Sequence, residues 1–395
     1  MAETETAETL TSSLLDQWAT DPTGPVALHM RQRLLSAEGE DGEDQIIYPP
    51  TFADIGYNID SLSDGTKVAL IDSVGSQANR LEPAFRSDSG QALADFVPQI
   101  DIALREDPCG QCEPCKKATK PKADKCEKPW KEKRSLFDLA HRAADAVVQS
   151  SPTLLPAIEC AFAELRKTGN AMPLATIAPT SLIFGCWDSR GGSGEKRPRL
   201  VRSVIRASDV DELKAASQFN SVWKALNEEQ REALKKALPK GKKLSEKGFN
   251  DAPAQGLGGV VVRGAIERNV TINLVALRGL VGANEETTAA LRKYLLALSL
   301  LAATTDIDMF LREGCNLRIA DAEDDWKAVP RRGAKVPVDL TSEEARKTLT
   351  DYANSASKPF KEAWVATGLA LEHDFDIKEA MNLLKAKDDQ TEDNS

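Results

Sequence analysis

The sequence predicts an α+β fold built on a mostly antiparallel sheet, and three features of the chain lead there. Val26 to Leu35 alternates apolar and basic positions, as a half-buried strand does. Two apolar, β-prone runs, Leu174 to Trp187 and Leu200 to Arg206, flank a Gly- and Arg-rich loop in the manner of a hairpin. Glu285 to Thr304 carries a long apolar pattern at helical spacing. Strands and helices then follow in the order β–α–(insertion)–α–β–β–α–β–β–α, which segregates no parallel βαβ series.

The elements can be justified in turn. Residues 1–25 read as an N-terminal arm ahead of the first strand. Thr66 to Phe85 has helical apolar spacing at Val68, Leu70, Ile71, Val74, Ala78 and Leu81. An insertion at about 101–134 is rich in Cys and Lys, and helices are expected at Leu136 to Val148 and Leu154 to Leu165. Asp209 to Leu238 reads as a charged helix that opens a second insertion, at about 209–259. Strands at Val260 to Ile266 and Thr271 to Leu277 follow, and a short one at Cys315 to Ala320 closes a core spanning 26–320. Residues 321–395 form a helical region, with helices at about 342–355, 359–371 and 376–387, and an acidic tail.

The net charge of −10 hides a segregation. Residues 1–30 contain no Lys or Arg, while basic residues gather in Lys116–Arg134, Arg190–Arg206 and Lys235–Lys247. Such a chain suits a protein that grips a polyanion on one face. No apolar run approaches the roughly 20 residues of a membrane span, and the acidic start has no signal-peptide pattern, so a cytoplasmic protein without membrane contact is expected. Only three histidines occur, which weighs against an enzyme needing an imidazole base. Asp72, Asp188 and Asp209 are conceivable metal-binding carboxylates, but no paired spacing recommends them.

Between Trp187 and Arg206 six basic residues face two acidic ones, and five of the six are arginines: Arg190, Arg197, Arg199, Arg202 and Arg206. The guanidinium fork matches phosphate oxygens, so nucleic acid is the candidate partner. Ser76, Gln77, Asn79 and Arg80 add a polar string suited to a sugar–phosphate backbone. Gly256, Gly258 and Gly259 would let a backbone approach phosphate closely, with Arg263 just beyond. Cys109, Cys112, Cys115 and Cys126 have the spacing of a structural Zn²⁺ site. An iron–sulfur cluster accepts the same ligands, but the basic, hydrophilic surroundings favour zinc.

Taken together, Leu70 to Glu82, Ser181 to Arg190 and Arg202 to Ala207 resemble the type I-G (formerly I-U) CRISPR backbone subunit, in the Cas-seven group of the RAMP superfamily. Asp138 to Ala146 and the glycines before Val260 agree with it. The resemblance implies an RRM-like (ferredoxin-like) core with a thumb-like hairpin, for which residues 101–134 and 239–259 are the candidates and the second is preferred. It implies a non-catalytic subunit that polymerises head to tail along the guide crRNA within a Cascade complex. The guide would then pair with the target DNA strand, so that base pairing reads sequence and protein reads backbone shape. Two alternatives remain open: a metal-dependent endoribonuclease of the same superfamily, and a zinc-stapled protein–protein adaptor.

Overall fold

The computed structural model describes residues 7–120, 122–187, 196–216, 222–239, 241–242, 244, 255–321 and 324–392. Helix α1 (Ser12–Thr20) precedes strand β1 (Ala27–Ser36), and β2 (Gln45–Ile47) and β3 (Ile59–Ser61) lead to β4 (Lys67–Asp72). Ser73 then caps α2 (Val74–Leu81), its Oγ accepting the Ser76 N–H at 3.2 Å. Strands β5 (Asp101–Asp107) and β6 (Trp130–Ser135) form a hairpin with α3 (Glu113–Lys117) in its tip. Four helices follow: α4 (Ala146–Gln149), α5 (Leu155–Thr168), α6 (Met172–Ile177) and α7 (Thr180–Ile183). After β7 (Val201–Ser208) and β8 (Val210–Ala216) come α8 (Glu228–Ala237), β9 (Gln255–Val262) and β10 (Ile266–Asn273). Then α9 (Leu274–Arg278) and α10 (Glu285–Thr304) precede β11 (Met309–Arg312), β12 (Cys315–Ile319), β13 (Asp325–Val329) and β14 (Val336–Pro337). The chain ends on α11 (Glu343–Thr367), β15 (Glu372–Asp374) and α12 (Ile377–Glu392).

The fold is α+β, around a nine-stranded sheet of order β11-β12-β1-β10-β7-β4-β3, to which β13 and β14 attach beside β1. Its centre, β12-β1-β10-β7, is antiparallel at every step. Numbered along the chain those four strands lie in the order 4-1-3-2, with helices between the first two and the last two. That is the β-α-β-β-α-β arrangement of ferredoxin-like domains.

One face of this sheet is apolar at both ends and polar in the middle. Leu28, Met30, Val270 and Ile272 join α10 in the larger core, while Leu34, Ile205, Ala207 and Ile266 join a smaller one with β9 and β11. Between the cores lies a buried chain of hydrogen bonds. Arg268 Nη1 donates to Gln32 Oε1 at 3.3 Å and its Nε to Ser203 Oγ at 3.2 Å; Ser203 donates to Gln77 Oε1 at 2.7 Å; Gln77 Nε2 donates to Asp72 at 2.6 Å. Burial lowers the Arg268 pKa to about 10.

Several elements differ from the sequence reading. The run expected as a strand from Leu174 to Trp187 forms α6 and α7, whose residues from Leu174 to Ile177 and Thr180 to Ile183 are all buried. A short run buried on every side shows neither period, and Pro173 and Pro179 sit where prolines start helices. Thr66 to Phe85 splits into β4 and α2 at the Ser73 cap. Leu136 to Val148 is broken into tight turns because Arg142 adopts a left-handed backbone, φ +55°. Asp209, at φ +50°, turns β7 into β8, so helix begins only at Glu228 after an Asn227 capping box. The two helices expected around 342–371 are one, α11, with Pro359 inside it. The strand expected over Thr271 to Leu277 ends at Asn273, whose side chain caps α9. No helix among the described residues is long and apolar enough to cross a membrane.

Candidate nucleic-acid interface and metal centre

The other face of the central sheet is polar, because strand alternation sends every second residue there. β1 presents His29, Arg31 and Arg33; β10 presents Glu267, Asn269 and Thr271; β7 presents Arg202 and Arg206. Register aligns them in rows: His29, Thr271 and Arg202 across one, and Arg33, Glu267 and Arg206 across another. Arg31 is ion-paired with Glu267, whereas no ion pair among the described residues engages Arg33, Arg202 or Arg206. His29 meets Thr271 at 3.1 Å, and burial together with Lys335 lowers its pKa. The face is therefore cationic through its arginines.

Beside it opens a cleft of about 380 Å³ whose lining includes Asn79, His141, Arg142, Trp187, Lys196 and Arg199. Gly185 (φ +77°) makes the turn into it; a Cβ there would meet Arg197 O at 2.8 Å and Arg199 Cγ at 2.9 Å. Trp187 is 54% exposed and stands edge-on to His141, with centroids 6.1 Å apart. An isolated antiparallel bridge pairs Trp187 with Lys196. Arg142 lies at the floor, 2% exposed in its side chain, paired with fully buried Glu82 at 2.7 Å and donating to Gly185 O at 2.9 Å. Arg199 donates to Phe184 O at 2.8 Å, and desolvation, then the charges of Arg142 and Arg202, lower its pKa. The charges of Arg142 and Arg202 both bear on Arg199, a position that a bound anion would relieve.

Of the polar residues singled out from sequence, this arrangement brings Asn79, Arg197 and Arg199 into one cleft, and Arg202 and Arg206 onto the adjoining face. Arg190 and Asp188 lie outside the described residues, as do residues 245–254 of the preferred thumb segment. Gln77 is fully buried, and its amide is spent on Asp72, Ser203 and Arg268, so it has no surface to offer a ligand. Arg80 pairs with Asp72 at 3.1 Å and donates to the Phe310 and Leu311 carbonyls, which locks β4 to β11. Ser76 is half-buried on α2.

Gly256, Gly258 and Gly259 lie in β9, away from the arginine rows, and a Cβ on Gly258 would strike the β8 backbone at 2.6 Å. Close strand packing accounts for that glycine without a phosphate. Arg263 pairs with Asp211 at 2.7 Å and Asp44 at 3.7 Å, which commits its charge. Asp72 is 2% exposed and saturated by Gln77 and Arg80, while Asp209 makes the β7–β8 turn, so these two carboxylates share no site. The sequence reading passed over Arg31, Arg33, Trp187, His141 and Arg142. The basic alternation in β1 did announce the first two; the turn at Arg142, beside which His141 lines the cleft, had no local signal.

At the tip of the β5–β6 hairpin the Sγ atoms of Cys109, Cys112, Cys115 and Cys126 lie within 4.8 Å of one another. Tetrahedral ligation with metal–sulfur bonds of about 2.3 Å sets sulfurs roughly 3.8 Å apart, and Cys112 and Cys126 are at 3.7 Å. The backbone favours thiolate at two of the four, Gln111 and Cys112 N–H donating to Cys109 Sγ and Cys109 N–H to Cys126 Sγ at 3.2 Å, while the hydrogen bond with Cys112 and burial push the Cys115 thiol up. Those backbone donors, Gln111 first, pull the Cys109 thiol down to about 6. The four residues fit a metal ion closed on all sides, a structural site with no open position for catalysis. Cys160 is exposed, whereas Cys186 and Cys315 are buried. Native protein holding metal should thus show one thiol, Cys160, reactive with an aromatic disulfide reagent, and chelation should add four. A count unchanged by chelation would exclude metal binding by these cysteines.

Residues 28–212 match the family model described as CRISPR-associated protein GSU0053 (Cas_GSU0053). The match runs from β1 into β8 and takes in the cleft, the metal candidate and the β7 arginines, and it supports a CRISPR-associated function. No curated protein matches the chain.

Proposed function

We propose that this chain is a guide-RNA-binding backbone subunit of a type I-G CRISPR effector complex. The reading is supported above all by the cationic surface that runs from Arg33 and Arg206 through Arg202 to Arg199 and the cleft at Trp187. Contacts of this kind fall on phosphates, which fix the strand without reading its sequence. A guide-holding protein needs that indifference, since each guide differs. Trp187 supplies one stacking surface at the edge of the face, and the sheet adds the His29 ring on β1 and Phe310, 57% exposed on β11. The subunit would repeat head to tail along the guide beside other Cas proteins and leave the bases free to pair with target DNA. It would work without a catalytic centre of its own. Zinc is the metal proposed for the four cysteines, as a staple for a tip that buries almost nothing.

The test is purification of the chain made alone, with the absorbance ratio at 260 and 280 nm and sizing before and after ribonuclease. A high ratio and a large particle that collapses on ribonuclease treatment are expected. A monomer that ignores added RNA would overturn the reading and leave the protein–protein adaptor as the better account.

A further inference from the structure

The metal-binding tip carries a second charged surface that the guide-binding face does not use. Residues 109–134 hold nine Lys or Arg and four Asp or Glu, in a chain of net charge −10. Some of these bases are spoken for. Lys131 pairs with Glu372 at 2.8 Å and Glu106 at 3.2 Å, Lys133 pairs with Glu372, Arg134 with Glu132, and Lys117 with Glu113 at 3.3 Å. Lys116, Lys120, Lys122, Lys125 and Lys128 are exposed, and no ion pair among the described residues engages them. At the base of the same tip Trp130 opens β6 opposite Asp107 and leaves 52% of its surface in water.

A loop needed only for solubility would have lysines, but no reason to expose an indole or to be stapled by four cysteines. Exposed lysines on a stapled loop that leads into an exposed aromatic ring suit a single-stranded nucleic acid: charge for the phosphates and a flat face for an unpaired base. A duplex would leave the indole without a base to stack on. The tip belongs to the β15-β5-β6 sheet, separate from the nine-stranded sheet that carries the arginines. We infer that the cysteine-stapled tip is an independent clamp for a single strand of nucleic acid, gripping phosphates through Lys116, Lys122, Lys125 and Lys128 and a base through Trp130. In a guide-bound assembly it would hold a strand other than the guide, and its lysines would not distinguish DNA from RNA.

The experiment uses the full-length chain with Arg202→Glu and Arg206→Glu, which removes the sheet face from the measurement. A labelled 30-nucleotide oligothymidylate is titrated at several salt concentrations. Binding should persist in this background. Adding Lys116→Ala, Lys122→Ala, Lys125→Ala and Lys128→Ala should weaken it at least tenfold at 0.1 M salt. The same change should cut the slope of log K against log salt by roughly 2 to 3, at about 0.7 per phosphate contact. Trp130→Ala should cost about tenfold and Trp130→Phe far less, as base stacking on an aromatic side chain predicts. Metal content and melting temperature, measured on each variant, separate a lost contact from a lost fold, and Trp130 lies outside the cysteine loop should the lysine variant lose its metal. No oligothymidylate binding in the arginine-substituted background, or binding indifferent to both the lysine and the Trp130 changes, would overturn the clamp. Guide binding stands or falls separately, on whether the arginine substitutions abolish RNA binding in a chain whose tip already carries the lysine and Trp130 changes.

Discussion

In a chain whose tip already carries Lys116→Ala, Lys122→Ala, Lys125→Ala, Lys128→Ala and Trp130→Ala, replacing Arg202 and Arg206 by Glu should weaken single-stranded RNA binding about a thousandfold at 0.1 M salt and leave the melting temperature within a degree or two. Both side chains are exposed on the polar face of β7, so their exchange disturbs no packing. Each arginine that neutralises a phosphate contributes about 0.7 to the salt slope on a single strand, so losing two should lower the slope by roughly 1.4. Reversal does more than deletion, because two carboxylates then face the phosphates beside Glu267. Arg202→Gln with Arg206→Gln should lose the same slope with a smaller drop in affinity. Fluorescence anisotropy against a labelled 30-nucleotide RNA at four salt concentrations measures both quantities. An affinity within threefold of the parent protein would place the RNA elsewhere.

The architecture was largely legible, because the central sheet obeys the simplest rules. β1 alternates cleanly, and α10 is a long apolar helix behind an Asn284 capping box. What misled was continuity. Leu174 to Ile183 is buried on every side, so its hydrophobicity has no period to read. Asp209 looks like an ordinary acidic residue before a helix, yet its φ of +50° folds β8 back onto β9. Positive φ at a residue other than glycine leaves no mark in composition, and the turn is enforced by pairings far along the chain.

The site was half legible for a related reason. Charge can be counted along a sequence, so the arginine block and the four cysteines stood out. Burial cannot be counted in that way. Gln77 and Arg80 looked as available as Asn79, but α2 rests on β7, which turns Gln77 into the core and leaves Asn79 outside. Arg263 looked free until β8 and the 38–44 loop brought Asp211 and Asp44 beside it. The partner of a surface arginine is set by strand register, which was unknown until β8, β9 and β2 were paired.

Arg142→Ala should cost about 3–5 kcal/mol of stability at pH 8, the usual loss when one member of a buried ion pair is removed. The residue joins three parts of the cleft: Glu82 at the end of α2, the Gly185 carbonyl before Trp187, and the turn that carries His141. Its partner makes the effect pH-dependent. Burial pushes the Glu82 carboxyl up to about 7, against the opposing pull of Arg142, from an ordinary value of 4.5. Between those values the folded protein keeps a proton that the unfolded chain has released, so this group's contribution falls as pH rises from about 4.5 to 7. Without Arg142 the carboxyl loses its attraction and its pKa climbs further, so the variant goes on losing stability above pH 7 where the parent has levelled off. Chemical denaturation at pH 5.5 and pH 8 should therefore show a deficit that is largest at pH 8 and shrinks in acid, where Glu82 is protonated in both folded proteins. Glu82→Gln should lose the parent's downward slope between 4.5 and 7, because the amide does not titrate. An Arg142→Ala deficit equal at both pH values would mean that the guanidinium acts through the Gly185 carbonyl and its packing on Phe184, and that its charge is incidental.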